Sequence, residues 1–182
     1  SLEAIQSKPA VFDTQKLEWM NGQYLSMTPA DALLAPVREQ LARLGVEPGA
    51  RDLRPIIDAA KARSRTIVQL AEQVAVRLQG PDGKVDAKAE ALMKKMGAGF
   101  AENLRGAARA LEGIPPAEWD APRLEAALRQ VAESRGAKLG DVMQPIRVAL
   151  TGSTVSEPVN ELLAVVGREP SLERMRKAAD AA

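Results

Sequence analysis

The chain has 182 residues, a formal net charge of +1 and no cysteine or histidine. That composition excludes disulfides, Cys or His metal sites, thiol nucleophiles and every catalytic relay that uses imidazole. Hydrophobic residues make up 46%, charged residues 27% and aromatics only 3%, a globular mixture that favours helix over strand. No apolar run reaches the roughly 18 residues of a membrane span, and residues 1–13 lack the pattern of a signal peptide, so a cytosolic setting is expected. The 24 acidic residues are interspersed with Lys and Arg, as on solvated helix faces. Gly80-Pro81-Asp82-Gly83 is a turn by composition and not a phosphate-binding loop. The chain by itself is expected to be non-catalytic and to hold no metal or cofactor.

In chain order, residues 1–13 read as an incoming segment with a breaker at Ser7-Lys8-Pro9 and a cap at Asp13. A helix is expected over 14–26, with Leu17, Met20 and Tyr24 in register and Trp19 beside them; this stretch and Phe12 hold three of the five aromatics, the mark of a local core or a junction. The next helix has Thr28 as its cap, Pro29 at its first position and the stripe Leu33, Leu34, Val37, Leu41 and Leu44, closed by Gly45. One long helix is expected over 53–78, with Ile56, Ile57, Ala60, Ile67, Leu70, Ala71, Val74 and Leu78 inward. Arg54, Lys61 and Arg65 fall on its other face, and Arg63 on the flank of the stripe. A loop at 79–84 precedes helical pattern over 86–111, with a possible break at Gly97-Ala98-Gly99. Pro115-Pro116 is a stop. Asp120 and Pro122 open a helix striped by Leu124, Leu128 and Val131.

The run from Lys138 to Gly152 is apolar for a helix and carries one arginine, Arg147, in its middle. Such a helix buries one face and presents one fixed guanidinium; a helix arginine paired with a nearby acid is the plainer alternative. A loop at 153–158, a short apolar helix and a final amphipathic helix with Leu172 and Met175 complete an all-α, multihelical reading. It has two consecutive helical subdomains: 1–26 as a junction segment, 27–113 as the first subdomain and 114–182 as the second. Charge is uneven. Positions 36–65 hold seven basic residues against four acidic ones, whereas 112–133 lean acidic. A chain basic on one side suits a nucleic acid met on one face.

The segment Phe12-Asp13-x-x-Lys16-Leu17-x-Trp19-Met20-Asn21-Gly22-Gln23-Tyr24-Leu25 resembles the stretch of bacterial glutamyl-tRNA synthetases that leads into their anticodon-binding half. Gln144-Pro145-Ile146-Arg147-Val148-Ala149-Leu150-Thr151-Gly152 resembles the C-terminal signature of the same family, as does the ending from Leu162 to Glu169. The three lie in family order and span nearly the whole chain. The resemblance implies the anticodon-binding region of a class I synthetase, a glutamate–tRNA ligase. The parent's catalytic domain would use ATP and Mg²⁺, lie in cis and is absent here: there is neither histidine nor a lysine-rich K-M-S-K-S-type loop. It implies tRNA as partner through the anticodon arm, a monomer and no membrane.

By the same resemblance, Arg147 reads an anticodon base, with Gln144, Ser156, Glu157 and Val159 around it. Relatives offer a tryptophan where Gln144 stands and a loop proline one place before Pro158. A second base-reading arginine corresponds to Arg63 or Arg65. Lys61, Arg38 and Arg43 are candidates for phosphate contacts. The competing reading from another class is a helical scaffold that binds protein through apolar stripes; it requires no arginines gathered on one face.

Overall fold

The computed structural model describes residues 13–182; the readings at Ser7–Pro9 and at Ala10–Phe12 fall outside them. Among the described residues there are ten α-helices, one 3₁₀ turn and no strand. In order they are α1 (Thr14–Met27), α2 (Ala30–Arg43), α3 (Arg54–Lys61), α4 (Ile67–Gln79), α5 (Ala87–Met96), α6 (Ala98–Glu112), the 3₁₀ turn Pro116–Glu118, α7 (Ala121–Ser134), α8 (Leu139–Thr151), α9 (Val159–Val166) and α10 (Arg168–Ala181). The all-α expectation holds.

Local chemistry sets most of the boundaries. Asp13, Thr66, Asp86 and Asp120 each cap a helix by accepting a backbone N–H with the side-chain oxygen, which satisfies a donor the first turn leaves free. Two expectations are corrected. Thr28 does not cap α2; its hydroxyl donates to the Tyr24 carbonyl at 2.7 Å and closes α1. The long helix over 53–78 is two helices, α3 and α4, joined by an irregular turn from Ala62 to Thr66. Thr66 takes an extended conformation and accepts the Gln69 N–H at 3.1 Å. The buried Ser64 hydroxyl donates to the Ala60 carbonyl at 3.2 Å. These hydroxyls offer the backbone partners that compete with a continuous helix. The suspected break at Gly97 is real: φ is +51° there, and the residue separates α5 from α6.

Two apolar cores form. The first gathers Leu25, Leu33, Val37, Leu41, Leu53, Ile56, Ile57, Leu70 and Val74 with their neighbours. The second runs from Ala89 to Ala179 and includes Phe100, Leu104, Leu111, Leu128, Ile146, Leu150, Leu163 and Met175. α5 and α6, which lie before position 113, therefore contribute to the second core. Val165 of α9 packs against the first core, and arginines tie the two together. Arg51 donates to the Val165 and Val166 carbonyls at 2.5 and 2.7 Å. Arg174 donates to the Arg77 and Leu78 carbonyls at 3.1 and 2.9 Å. Each guanidinium thus sits at a helix C-terminus, where unpaired carbonyls and the dipole favour a cation.

α1 is the exception to the packing. Leu25 is its buried residue, while Trp19, Tyr24 and Met27 are 55%, 64% and 69% exposed. Of the two expectations for these aromatics, a local core or a junction, Trp19 and Tyr24 do not form a local core among the described residues. Trp119, in contrast, packs against the second core and donates its indole N–H to the Leu163 carbonyl at 3.0 Å.

Gly152 closes α8 with φ +69°, and its carbonyl accepts the Asp86 N–H at 2.8 Å. A Cβ there would run into the Lys84 carbonyl and lie 3.0 Å from the Pro81 side chain. Gly152→Ala combines a left-handed residue with a backbone collision. It is expected to cost about 1–3 kcal/mol, seen as a lower urea midpoint with an unchanged m-value.

Candidate nucleic-acid interface

α8 buries Val142, Pro145, Ile146, Val148, Ala149 and Leu150 and leaves Arg147 half-buried at the edge of that face. The turn at Gly152 sends the chain back past this side chain. Arg147 Nε donates to Ser156 Oγ at 2.9 Å, Nη1 to the Thr154 carbonyl at 3.4 Å and Nη2 to the Glu157 carbonyl at 3.5 Å. Ser156 in turn donates to the Glu157 carbonyl at 2.8 Å. A guanidinium has five N–H groups in a rigid fork. Three are engaged, two of them at long distance, so two on the terminal nitrogens are left for an incoming acceptor. The loop thus fixes the plane of the fork and leaves its tip free.

The second basic element is the turn between α3 and α4. Arg63 and Arg65 are both exposed there. The Arg65 backbone is held at both ends, its N–H by Gln69 Oε1 at 2.9 Å and its carbonyl by the Asn21 side-chain amide. With Trp19, Gly22 and Gln23 of α1 the two arginines line a cleft of about 180 Å³. Arg63 also reaches the α8 site electrostatically. Burial pulls the Arg147 guanidinium below its ordinary pKa; the Glu157 carboxylate opposes this, and the positive charge of Arg63 adds to it. The charge of the Arg63 turn is thus felt at the α8 site.

The structure divides the other expected site residues. Gln144 lies one turn before Arg147, half-buried, and its Oε1 is buried without a hydrogen-bond partner. Ser156 positions Arg147 as described. Glu157 does not face outward: it is fully buried, and its carboxylate takes both Nε (2.8 Å) and Nη2 of Arg77, whose side chain is also buried. Arg77 further donates from Nη1 to the Gln73 carbonyl and side chain at 2.8 and 2.9 Å. Val159 is buried in the second core because it begins the apolar stripe of α9. The side chains of Glu157 and Val159 therefore shape the wall of the site, and only the Glu157 backbone meets Arg147.

Among the phosphate candidates, Lys61 is engaged structurally. It donates to the Thr28 carbonyl at 3.0 Å and pairs with Asp58 at 2.7 Å. Arg43 pairs with Glu39 at 2.6 Å on the exposed face of α2. Arg38 is exposed on the same helix, beside the turn at Gly45–Pro48, and its charge helps hold the Asp52 carboxyl below the usual range, behind the hydrogen bonds from Arg54. Sequence reasoning missed the Arg77–Glu157 pair. Its trace is Arg77 itself, seven residues after Leu70 and three after Val74, on the apolar stripe where a charge requires a buried partner.

These side chains can donate to base edges and phosphate oxygens. Among the described residues no three or more His, Cys, Asp or Glu side chains gather to hold a metal ion, and no helix is long and apolar enough to cross a membrane.

Comparison with known proteins agrees with this geometry. The family model described as "Anticodon binding domain" matches residues 30–179. Glutamate–tRNA ligase 1 of Methylorubrum extorquens is 40% identical over 185 residues, covering 96% of this chain and 38% of that protein. Glutamate–tRNA ligase 2 of Rhodospirillum rubrum is 38% identical over 182 residues, covering 98% of this chain and 38% of that protein. A crystal structure of a glutamate–tRNA ligase from Elizabethkingia meningosepticum superposes with a TM-score of 0.78 at 25% identity, over 93% of this chain and 32% of that one. The chain spans well under half the length of the relatives it matches. It belongs to the anticodon-binding domain family and is similar over nearly its whole length to a segment of glutamate–tRNA ligases.

Proposed function

We propose that the chain recognises the anticodon arm of tRNA as part of a glutamate–tRNA ligase. ATP-dependent attachment of glutamate would be carried out by the rest of that enzyme, where ATP and Mg²⁺ would be held; this chain's donors are arranged to bind and not to react. The whole is read as a monomeric, cytoplasmic enzyme. The observation that carries the proposal is the seating of Arg147, with the basic turn at Arg63 in support. The guanidinium fork of Arg147 is held by the 154–157 loop with its tip free, and Arg63 stands within its field from another helix pair. Rigid guanidinium forks make paired hydrogen bonds to base edges, and unstacked loop bases are the usual target of sequence-reading RNA proteins.

Within this reading, Arg63 is the second base-reading arginine, since its charge is felt at Arg147. Arg65, like Arg63, lines the α1 cleft. The exposed arginines that lack a base to read would hold the backbone, because phosphate contacts position and base contacts specify.

Footprinting tests the proposal. The chain is mixed with a glutamate-accepting tRNA at low salt, and backbone cleavage is mapped. Protection is expected over the anticodon loop, weakening steeply as salt rises. Protection spread evenly over the tRNA, or confined to its acceptor end, contradicts it.

A further inference from the structure

A groove of about 440 Å³ runs between α5 and α8, lined by Lys88, Ala91, Leu92, Lys95, Gln144 and Thr154. It adjoins the Arg147 site directly. Gln144 is three residues from Arg147 on α8, and the Thr154 carbonyl accepts one of the Arg147 bonds. The groove carries two side chains that the Arg147 site does not use. Lys88 and Lys95 are exposed and form no ion pair among the described residues. They are seven residues apart, two helical turns, so both stand on one face of α5 about 10.5 Å apart along its axis. The Gln144 Oε1 is buried without a hydrogen-bond partner, out of reach of a donor in the groove, so Gln144 lines the groove through its other atoms.

Of the acidic groups nearby, Asp86 accepts the Ala89 N–H at 2.7 Å, and its carboxyl is held low by that bond, by Ser153 and by the backbone and charge of Lys88, so Lys88 already stands in the field of one carboxylate. Glu90 lies two residues from Lys88, on another side of α5. Asp141 is exposed one turn before Gln144.

We infer that this groove is a second RNA contact: Lys88 and Lys95 hold phosphates of the strand adjoining the base read by Arg147. The inference rests on the anticodon-arm reading above. Two ammonium groups two turns apart suit a run of backbone better than a single anion. An apolar floor from Ala91 and Leu92 suits the face of a sugar or base. The overall charge of +1 supplies little general attraction, so affinity for RNA has to come from local arrays of this kind.

The test measures the affinity of the chain for a glutamate-accepting tRNA as a function of salt, beside the same tRNA with its anticodon bases replaced. The double variant Lys88→Gln/Lys95→Gln is expected to reduce the magnitude of the log–log salt slope by about 1.4, the share of two single-strand phosphate contacts. It should keep the parent's preference for the natural anticodon. Lys177→Gln, an exposed lysine on α10 that lines a different cavity, should leave the slope unchanged. Both lysine sites are exposed helix surface, so folding is not at issue, and a urea midpoint confirms it.

A parental slope in the double variant, with anticodon preference intact in the parent, overturns the groove and leaves the anticodon reading standing. A drop of about half that size in Lys177→Gln also overturns it, since each lost charge then counts alike and the effect is general. A parent that shows no anticodon preference removes the reading on which the inference rests.

Discussion

Glu157→Ala is expected to lower the unfolding free energy by about 3–5 kcal/mol, read from urea denaturation at neutral pH. Both side chains of the Arg77–Glu157 pair are buried. Removing the carboxylate leaves a guanidinium out of water with only Gln73 as a partner. An uncompensated buried charge is among the most destabilising changes a single substitution makes. The pair itself is a different matter, because desolvation of two ions offsets most of their attraction. Arg77→Met combined with Glu157→Leu should therefore recover most of the loss. If Glu157→Ala and the double variant lose the same amount, the site responds to lost packing and not to the stranded charge.

The same variant has a consequence for binding. Glu157 anchors the loop whose carbonyls hold Arg147, and Arg77 belongs to α4, which follows the Arg63 turn. The pair thus joins the two arginine-bearing elements. Glu157→Ala should also weaken the discrimination between anticodons, whereas the apolar double variant, with the loop still packed, should retain more of it.

Arg147→Ala is expected to cost about 1–3 kcal/mol in binding to the natural anticodon, roughly five- to 150-fold in affinity. It should cost much less for a tRNA whose corresponding base is replaced. Arg147→Lys is the sharper probe. It keeps the positive charge and so most of the phosphate attraction, but it loses the planar fork that fits a base edge. Its preference between anticodons should fall toward that of the alanine variant while its salt slope stays closer to the parent's. Arg63→Ala should show coupling with Arg147→Ala, because residues that share a ligand are non-additive.

Much of the fold could be read from spacing and punctuation. The stripes of α2 (apart from Leu44, which lies past the helix end and is exposed), α7 and α10 and the closing glycines after α2 and α8 are local signals, each carried by a few neighbouring residues. The split between α3 and α4 was obscured because Ile67 kept the apolar period alive. The stretch Ser64-Arg65-Thr66 still held the clue, since two hydroxyl residues there offer caps in place of a continuous helix. The exposure of Trp19 and Tyr24 followed from tertiary packing, which a pattern of apolar residues does not specify.

At the site, Arg147 stood out because a charge interrupts an apolar helix. Glu157 and Val159 read as neighbours of Arg147 by position in the chain; their inward direction depends on Arg77, eighty residues away, and on the core beneath α9. Local sequence contains no record of such a pairing beyond a charge on an apolar stripe. The lysines of α5 looked like ordinary surface until α8 was placed beside them.

The central claim is that Arg147 reads an anticodon base. One measurement addresses it directly: the ratio of affinities for a glutamate-accepting tRNA and for the same tRNA with one anticodon base replaced, at fixed salt, in the parent and in Arg147→Ala. The claim predicts a ratio of about ten or more in the parent for the base that Arg147 contacts, collapsing toward one in the variant. A variant that weakens binding to both tRNAs by the same factor, with the parental ratio kept for every anticodon base, contradicts it.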